Sequence, residues 1–173
     1  ARIYAQWPQA RAAFPGCGDK VVVTGSPLRA GLRAVPREAA LRRFDLSPGR
    51  PTLAVIGGSQ GAEALNRGVI EGLDGAAREI QVIHLAGAGN AEPVRAAYRK
   101  RGVRASVYDF VTDMENLYSA ADLAVSRAGA MAIAELAAFG LPAVLVPLPH
   151  SAGDHQRENA RAVTKAGGAI LLE

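Results

Sequence analysis

Ala121-Asp122-Leu123-Ala124-Val125-Ser126-Arg127-Ala128-Gly129-Ala130-Met131-Ala132-Ile133-Ala134-Glu135 changes periodicity within a few residues. Residues 123–125 form a short apolar run that suits a buried strand, and residues 126–129 a small-residue turn. From Ala130 the apolar spacing becomes helical and runs to Phe139, where Gly140 and then Pro142 stop it. A strand that turns through glycine into a helix points bare backbone N–H groups, at the positive end of the helix dipole, above the sheet edge. Glu135 sits little more than one turn inside that helix. Two readings stand. In one, the helix start holds phosphate and Glu135 accepts both hydroxyls of a ribose. In the other, Gly129 only lets helix and strand pack closely, and Glu135 complements the dipole.

Outward from this stretch the same alternation repeats. Residues 20–25 read as a strand ended by Gly25, residues 37–44 as a short helix, and residues 46–51 as a loop marked by two prolines. Strands are then expected at 52–56, 81–85, 103–108, 142–147 and 169–172, besides 123–125. Helices are expected at 62–73, 92–101, 114–119 and 155–165, with Gly102 and Gly167-Gly168 as stops. Apolar, unalternated strands separated by helices predict an α/β fold: a Rossmann-like parallel sheet with helices on both faces. Right-handed crossovers put every strand-to-helix turn at one end of that sheet, where ligands of open α/β sheets bind.

The chain has 173 residues, of which 49% are hydrophobic, enough for one medium domain with its own core. It does not open with Met, and residues 1–19 carry no sustained period, so the expectation is a piece of a longer protein. Residues 1–19 are then the remnant of a preceding domain, 20–51 a connecting strand and linker, and 52–173 the main domain. The single cysteine, Cys17, allows no internal disulfide and fits a reducing compartment. No apolar run approaches the roughly 20 residues of a membrane span. A net charge of +4 suits anionic ligands or an anionic membrane surface. The basic residues are scattered and aromatics make up only 5% of the chain, which argues against nucleic-acid binding.

Gly57-Gly58-Ser59-Gln60-Gly61-Ala62 follows a strand and opens a helix, yet fits neither familiar glycine-rich motif. Ser59 stands at the second glycine of the dinucleotide fingerprint, and Leu85-Ala86-Gly87 stands where its acid belongs. The ATPase phosphate loop needs a Gly-Lys-Ser/Thr ending, and here Ala62 and Glu63 follow Gly61. What remains is a tight turn suited to a phosphate or a polar sugar edge, or a plain strand–helix connection. His150-Ser151-Ala152-Gly153-Asp154-His155-Gln156 belongs to the same sheet end, and its spacing matches no standard metal-ligand pattern. Asp154 is expected to cap the following helix, leaving His155 and Gln156 as neutral hydrogen-bonding groups for sugar hydroxyls. His84, within a strand, reads as a core or edge residue. No Ser-His-Asp arrangement and no carboxylate pair for acid–base work can be assembled.

Thr24-Gly25-Ser26-Pro27-Leu28-Arg29, Gly57-Gly58-Ser59-Gln60-Gly61-Ala62, Ser126-Arg127-Ala128-Gly129-Ala130 with Glu135, and Gly153-Asp154-His155-Gln156 with Asn159-Ala160 together resemble the MurG family. These are the UDP-N-acetylglucosamine transferases that make lipid II for peptidoglycan. The resemblance covers nearly the whole chain from about Val21 onward. It implies one Rossmann-like half of a GT-B type glycosyltransferase, the C-terminal, donor-binding half, with 52–173 as the UDP-sugar domain. Ser59 and the helix start at Ala130 would meet the diphosphate, and Gln60, Met131 and Ala132 count among the donor-binding positions. Glu135 would take the ribose hydroxyls, Val111 would offer backbone groups to the uracil, and Gln156 with His155 would read the GlcNAc hydroxyls. Arg29 matches a donor-site position. Ala132 stands where many relatives have Thr, and His155 where some have a second Gln.

The family's glycine-rich acceptor loop, with its histidine, belongs to the N-terminal half and is not in this chain. Transfer would invert the anomeric centre, with the muramyl 4-hydroxyl of lipid I attacking C1 of GlcNAc as UDP leaves. No catalytic base is assigned here, and the fragment alone is expected to be inactive. The resemblance calls for no cofactor or metal, since helix-start amides can carry the growing diphosphate charge. It implies UDP-GlcNAc and lipid I as partners, no nucleic acid, and a peripheral place on the cytoplasmic face of the bacterial membrane. Two other functions stay open: a UDP-GlcNAc epimerase of the same architecture, and a non-catalytic nucleotide-sugar-binding subunit.

Overall fold

A computed structural model of the chain describes residues 1–58, 62–73, 75–76, 78–149 and 154–173. The N-terminal segment holds more than its sequence foretold. Ile3–Ala5 (β1) and Val21–Val23 (β2) pair in parallel as a small sheet of their own, with 3-10 turns at Pro8–Ala13 and Gly18–Lys20 between them. A three-residue strand is too short to show a period, which is why residues 1–19 read as featureless.

After Arg37–Arg43 (α1) come Thr52–Ile56 (β3), Glu63–Gly72 (α2), Gln81–Leu85 (β4), Ala91–Arg101 (α3), Arg104–Tyr108 (β5) and Met114–Ala120 (α4). Leu123–Ser126 (β6), Ala130–Ala138 (α5), Ala143–Leu145 (β7), His155–Lys165 (α6) and Ala169–Leu171 (β8) complete the chain. The six strands from β3 onward form one parallel sheet in the order β5-β4-β3-β6-β7-β8. The chain thus starts in the middle, winds outward to β5, then returns to lay β6, β7 and β8 on the other side. This is the Rossmann-like α/β sheet that the strand–helix alternation predicts, with its reversal between β3 and β6.

Side-chain alternation along the strands builds two cores. Ala54, Ile56, Ile83, Leu85, Ala124 and Leu145 face one layer, where Leu41 and Phe44, Leu117, Ile133 and Leu136 cover them. Leu53, Val55, Val82 and Val107 face the other, under Leu65 and Ile70 of α2 and Val94 and Tyr98 of α3. Each fully buried aliphatic or aromatic side chain contributes roughly 1.5–3 kcal/mol. The second layer thins toward β8, where Ile170 is 67% exposed. β7 is shorter than residues 142–147 because Pro142 and Pro147, lacking an N–H, stand at its margins.

Asp122 ties the start of the sheet together. Its Oδ2 accepts from the Thr52 N–H at 2.8 Å and from Arg37 at 2.7 Å, joining β3, α1 and the residue before β6. His84 proves to be a core residue, fully buried on β4. The Asn66 amide nitrogen donates to the Ala86 carbonyl at 2.9 Å, so the Asn66 oxygen must accept from His84 Nε2 at 3.0 Å. Nδ1 is then the bare nitrogen and accepts from the Tyr98 hydroxyl at 2.8 Å. One neutral tautomer therefore links α2, β4 and α3.

Burial lowers the His84 pKa from 6.5 to about 4. In that interval the unfolded chain binds a proton that the folded chain refuses, so stability is full above pH 6.5 and falls as pH drops toward 4. The loss is on the order of 3 kcal/mol. Urea unfolding of the chain and of a His84→Gln variant across this range checks it. The variant should show the shallower pH dependence, and equal slopes would contradict the assignment.

Candidate functional site

β3 and β6 lie side by side in register, Ile56 opposite Ser126, and both chains turn away from the sheet just beyond that pair. After β3, Gly57 leaves the sheet so tightly that an added Cβ would sit 3.3 Å from the Ala62 nitrogen. Gly58 follows with φ +90, a conformation that favours glycine. After β6, the Arg127 N–H donates back to the Ile56 carbonyl at 3.2 Å, stitching the two exits together. The Arg127 side chain reaches across to the carbonyls of Val146 and Pro147, at 3.2 and 2.9 Å, and so joins the exit of β7 to the same rim.

Gly129 precedes α5 in an extended conformation, no acid stands in the helix's first turn, and among the described residues no side chain caps it. The amides of Ala130, Met131 and Ala132 are therefore at the start of a nine-residue helix, with Met131 44% exposed. Glu135 follows on the same helix and is 9% exposed. Its Oε2 accepts from the Tyr118 hydroxyl of α4 at 2.7 Å. Its Oε1 lies 3.7 Å from Arg29 Nε. Arg29 is half exposed, and its Nη1 donates to the Thr112 carbonyl at 3.2 Å. The segment before β3, the loop after β5 and the α5 helix thus meet at one guanidinium.

Val111, beside Thr112, packs its side chain against the first core. Among the described residues its N–H and C=O have no hydrogen-bond partner. The loop that carries it is held at both ends. The Asp109 carboxylate accepts from the Ala91 N–H at 3.0 Å, and Asp113 accepts from Arg43 at 2.7 Å.

At the start of α6 the expected cap is absent. Asp154 adopts a left-handed conformation, φ 53, and its carboxylate pairs with Arg157 at 2.9 Å instead of closing on the helix amides. In that conformation its side chain does not return to the first-turn N–H groups. Gln156 Oε1 accepts from the Leu148 N–H at 3.0 Å, which ties the exit of β7 to α6. His155 is exposed. Asn159 accepts from Trp7 Nε1 at 2.9 Å and donates to the Ala128 carbonyl at 3.2 Å, so α6, the N-terminal segment and the turn before α5 are joined. Gln6 donates to the Ala130 carbonyl at 3.3 Å.

Of the sequence-derived candidates, Arg29, Val111 and Glu135 are brought together through Thr112, and Ala130, Met131 and Ala132 lie one turn along the same helix. His155 and Gln156 open α6, the helix whose Asn159 donates to the Ala128 carbonyl before α5. Ser59 and Gln60 lie outside the described residues. Tyr118 carried no signal, because a tyrosine in a short amphipathic helix reads as core. An apolar cavity of about 490 Å³ lies beside Leu141 and Gly168, at the far end of α5 from these groups.

The chain is similar to curated proteins and to a solved structure. A protein from Ectopseudomonas mendocina, named UDP-N-acetylglucosamine--N-acetylmuramyl-(pentapeptide) pyrophosphoryl-undecaprenol N-acetylglucosamine transferase, is 45% identical over 92% of the chain. One of the same name from Acidothermus cellulolyticus is 46% identical over 87% of the chain. The chain spans 45% and 43% of those relatives' lengths. The crystal structure of Acinetobacter baumannii MurG superposes with a TM-score of 0.70 at 29% identity, covering 89% of this chain and 44% of that one. Residues 52–173 match the glycosyltransferase family 28 C-terminal domain, and the chain belongs to that family.

Proposed function

We propose that the chain is the donor-binding half of an inverting N-acetylglucosaminyltransferase that takes UDP-GlcNAc. In this reading residues 52–173 form the UDP-sugar domain, 20–51 the connecting strand and linker, and 1–19 the remnant of the preceding domain. The observation that carries it is the start of α5 at the β3–β6 reversal, with Glu135 on the same helix and Arg29 joining it to the loop after β5. Helix-start amides suit a diphosphate, a carboxylate suits a ribose diol, and the Val111 backbone groups, without a partner among the described residues, suit a uracil edge. Ser59, Gln60, Met131 and Ala132 complete the donor contacts, and His155 and Gln156 read the GlcNAc hydroxyls.

The acceptor is lipid I. Its muramyl 4-hydroxyl gives its proton to a base outside this chain and bonds to C1 of GlcNAc, while the C1–oxygen bond to the β-phosphate breaks and UDP departs with the electron pair. The dipole and amides at α5 stabilise the charge that gathers on the diphosphate as that bond breaks. Among the described residues no helix is long and apolar enough to cross a membrane. An undecaprenyl-linked acceptor nonetheless requires work at a membrane surface, and the net charge of +4 favours an anionic one. The assignment is therefore a peripheral enzyme of peptidoglycan synthesis on the cytoplasmic face.

Isothermal titration should show UDP and UDP-GlcNAc binding to the chain, and ADP binding more weakly. Glu135→Ala should weaken UDP by about 10–100-fold, the value of one or two hydrogen bonds to a charged group, with the circular dichroism spectrum unchanged. Preference for ADP, or unchanged affinity in the variant, would contradict the site. In an assay for UDP release with UDP-GlcNAc and lipid I, the chain alone should show no turnover above background. Sustained turnover would place a base within this chain and overturn the division of labour.

A further inference from the structure

Glu135 has a second partner besides Arg29, and it approaches from inside the protein. Tyr118 is 3% exposed, its ring lies 5.1 Å from that of Phe139, and its hydroxyl donates to Glu135 Oε2 at 2.7 Å. Burial first, and the carboxylate next, push the phenol well above its ordinary pKa of 10, so it stays protonated and donates. An ionised carboxylate has about four lone-pair sites and turns freely unless something holds it. Tyr118 occupies one oxygen from the core side, while the other oxygen faces the half-exposed Arg29.

We propose that Tyr118 is a positioning residue, whose buried hydroxyl holds the Glu135 carboxylate so that its other oxygen meets a ribose hydroxyl. The pair then sets a preference for ribo- over 2′-deoxyribonucleoside diphosphates. This rests on Glu135 being the ribose acceptor. Without the hydroxyl the carboxylate loses a charge-assisted bond and its fixed rotamer, and a precisely placed diol is worth less to it.

Titration of UDP and 2′-deoxy-UDP against the unaltered chain, Tyr118→Phe and Glu135→Gln tests this. The unaltered chain should prefer UDP by about tenfold, the worth of one such hydrogen bond. Tyr118→Phe should lose most of that preference, with 2′-deoxy-UDP affinity nearly unchanged. A merely structural role would weaken both nucleotides equally, and that result overturns the proposal. If Glu135→Gln abolishes the preference and Tyr118→Phe keeps it, the positioning role is wrong while the ribose reading stands. If neither variant changes it, the ribose reading itself is wrong. Tyr118→Phe deletes one oxygen and keeps the ring. Should its melting temperature fall, titrating all three chains at a temperature where each is folded preserves the comparison.

Discussion

Pairing of β3 with β6 is the constraint on which the rest depends. These strands are far apart in sequence and adjacent in space, and their crossovers leave in opposite directions. A crevice must open where two parallel neighbours part, because no helix can cover the rim at the point of divergence. The turn after β6 is small-residued for the same reason. A bulky side chain at Ala128, fully buried beneath the Asn159 bond, would push α5 off the sheet.

A carboxylate at 9% exposure is costly unless its oxygens are satisfied. At Glu135 the hydroxyl of Tyr118 and the charge of Arg29 meet that need without hiding the group from the rim. The Arg29 contact at 3.7 Å is an ion pair too long for a hydrogen bond, and its guanidinium is half exposed. Such a partner is easily displaced or redirected, whereas the buried Tyr118 bond is not. Glu135 is thus anchored on one side and adaptable on the other. His84 shows the opposite solution, a buried polar group with both ring nitrogens used inside the core and none left for a ligand.

The fold was largely legible because β3 is an apolar run bounded by Pro51 and Gly57, because β4 keeps Val82, Ile83 and Leu85 before Gly87, and because glycine stands just beyond α3 and α6. Strand order was not, since periodicity says which segments are strands and nothing of their neighbours. The helix start at Ala130 and the place of Glu135 one turn along it could be read because local spacing fixes both. Arg29 could be placed only by resemblance, for its partner Thr112 lies 83 residues away. The bond from Tyr118 to Glu135, 17 residues apart, could not be read at all, since it depends on how α4 packs on α5. The missing Asp154 cap shows the limit of local rules: a left-handed backbone at Asp154 turns a good capping residue away from its helix.

The most direct test is a 15N-resolved amide titration of the chain with UDP, which reports the binding position without presuming any side chain. The amides of Val111, Thr112, Ala130, Met131 and Ala132 should move most, as one set, with a common dissociation constant. Shifts centred instead on Glu63, Asn66 and Asn90, which line a separate cleft of about 330 Å³ between α2 and α3, would contradict the account.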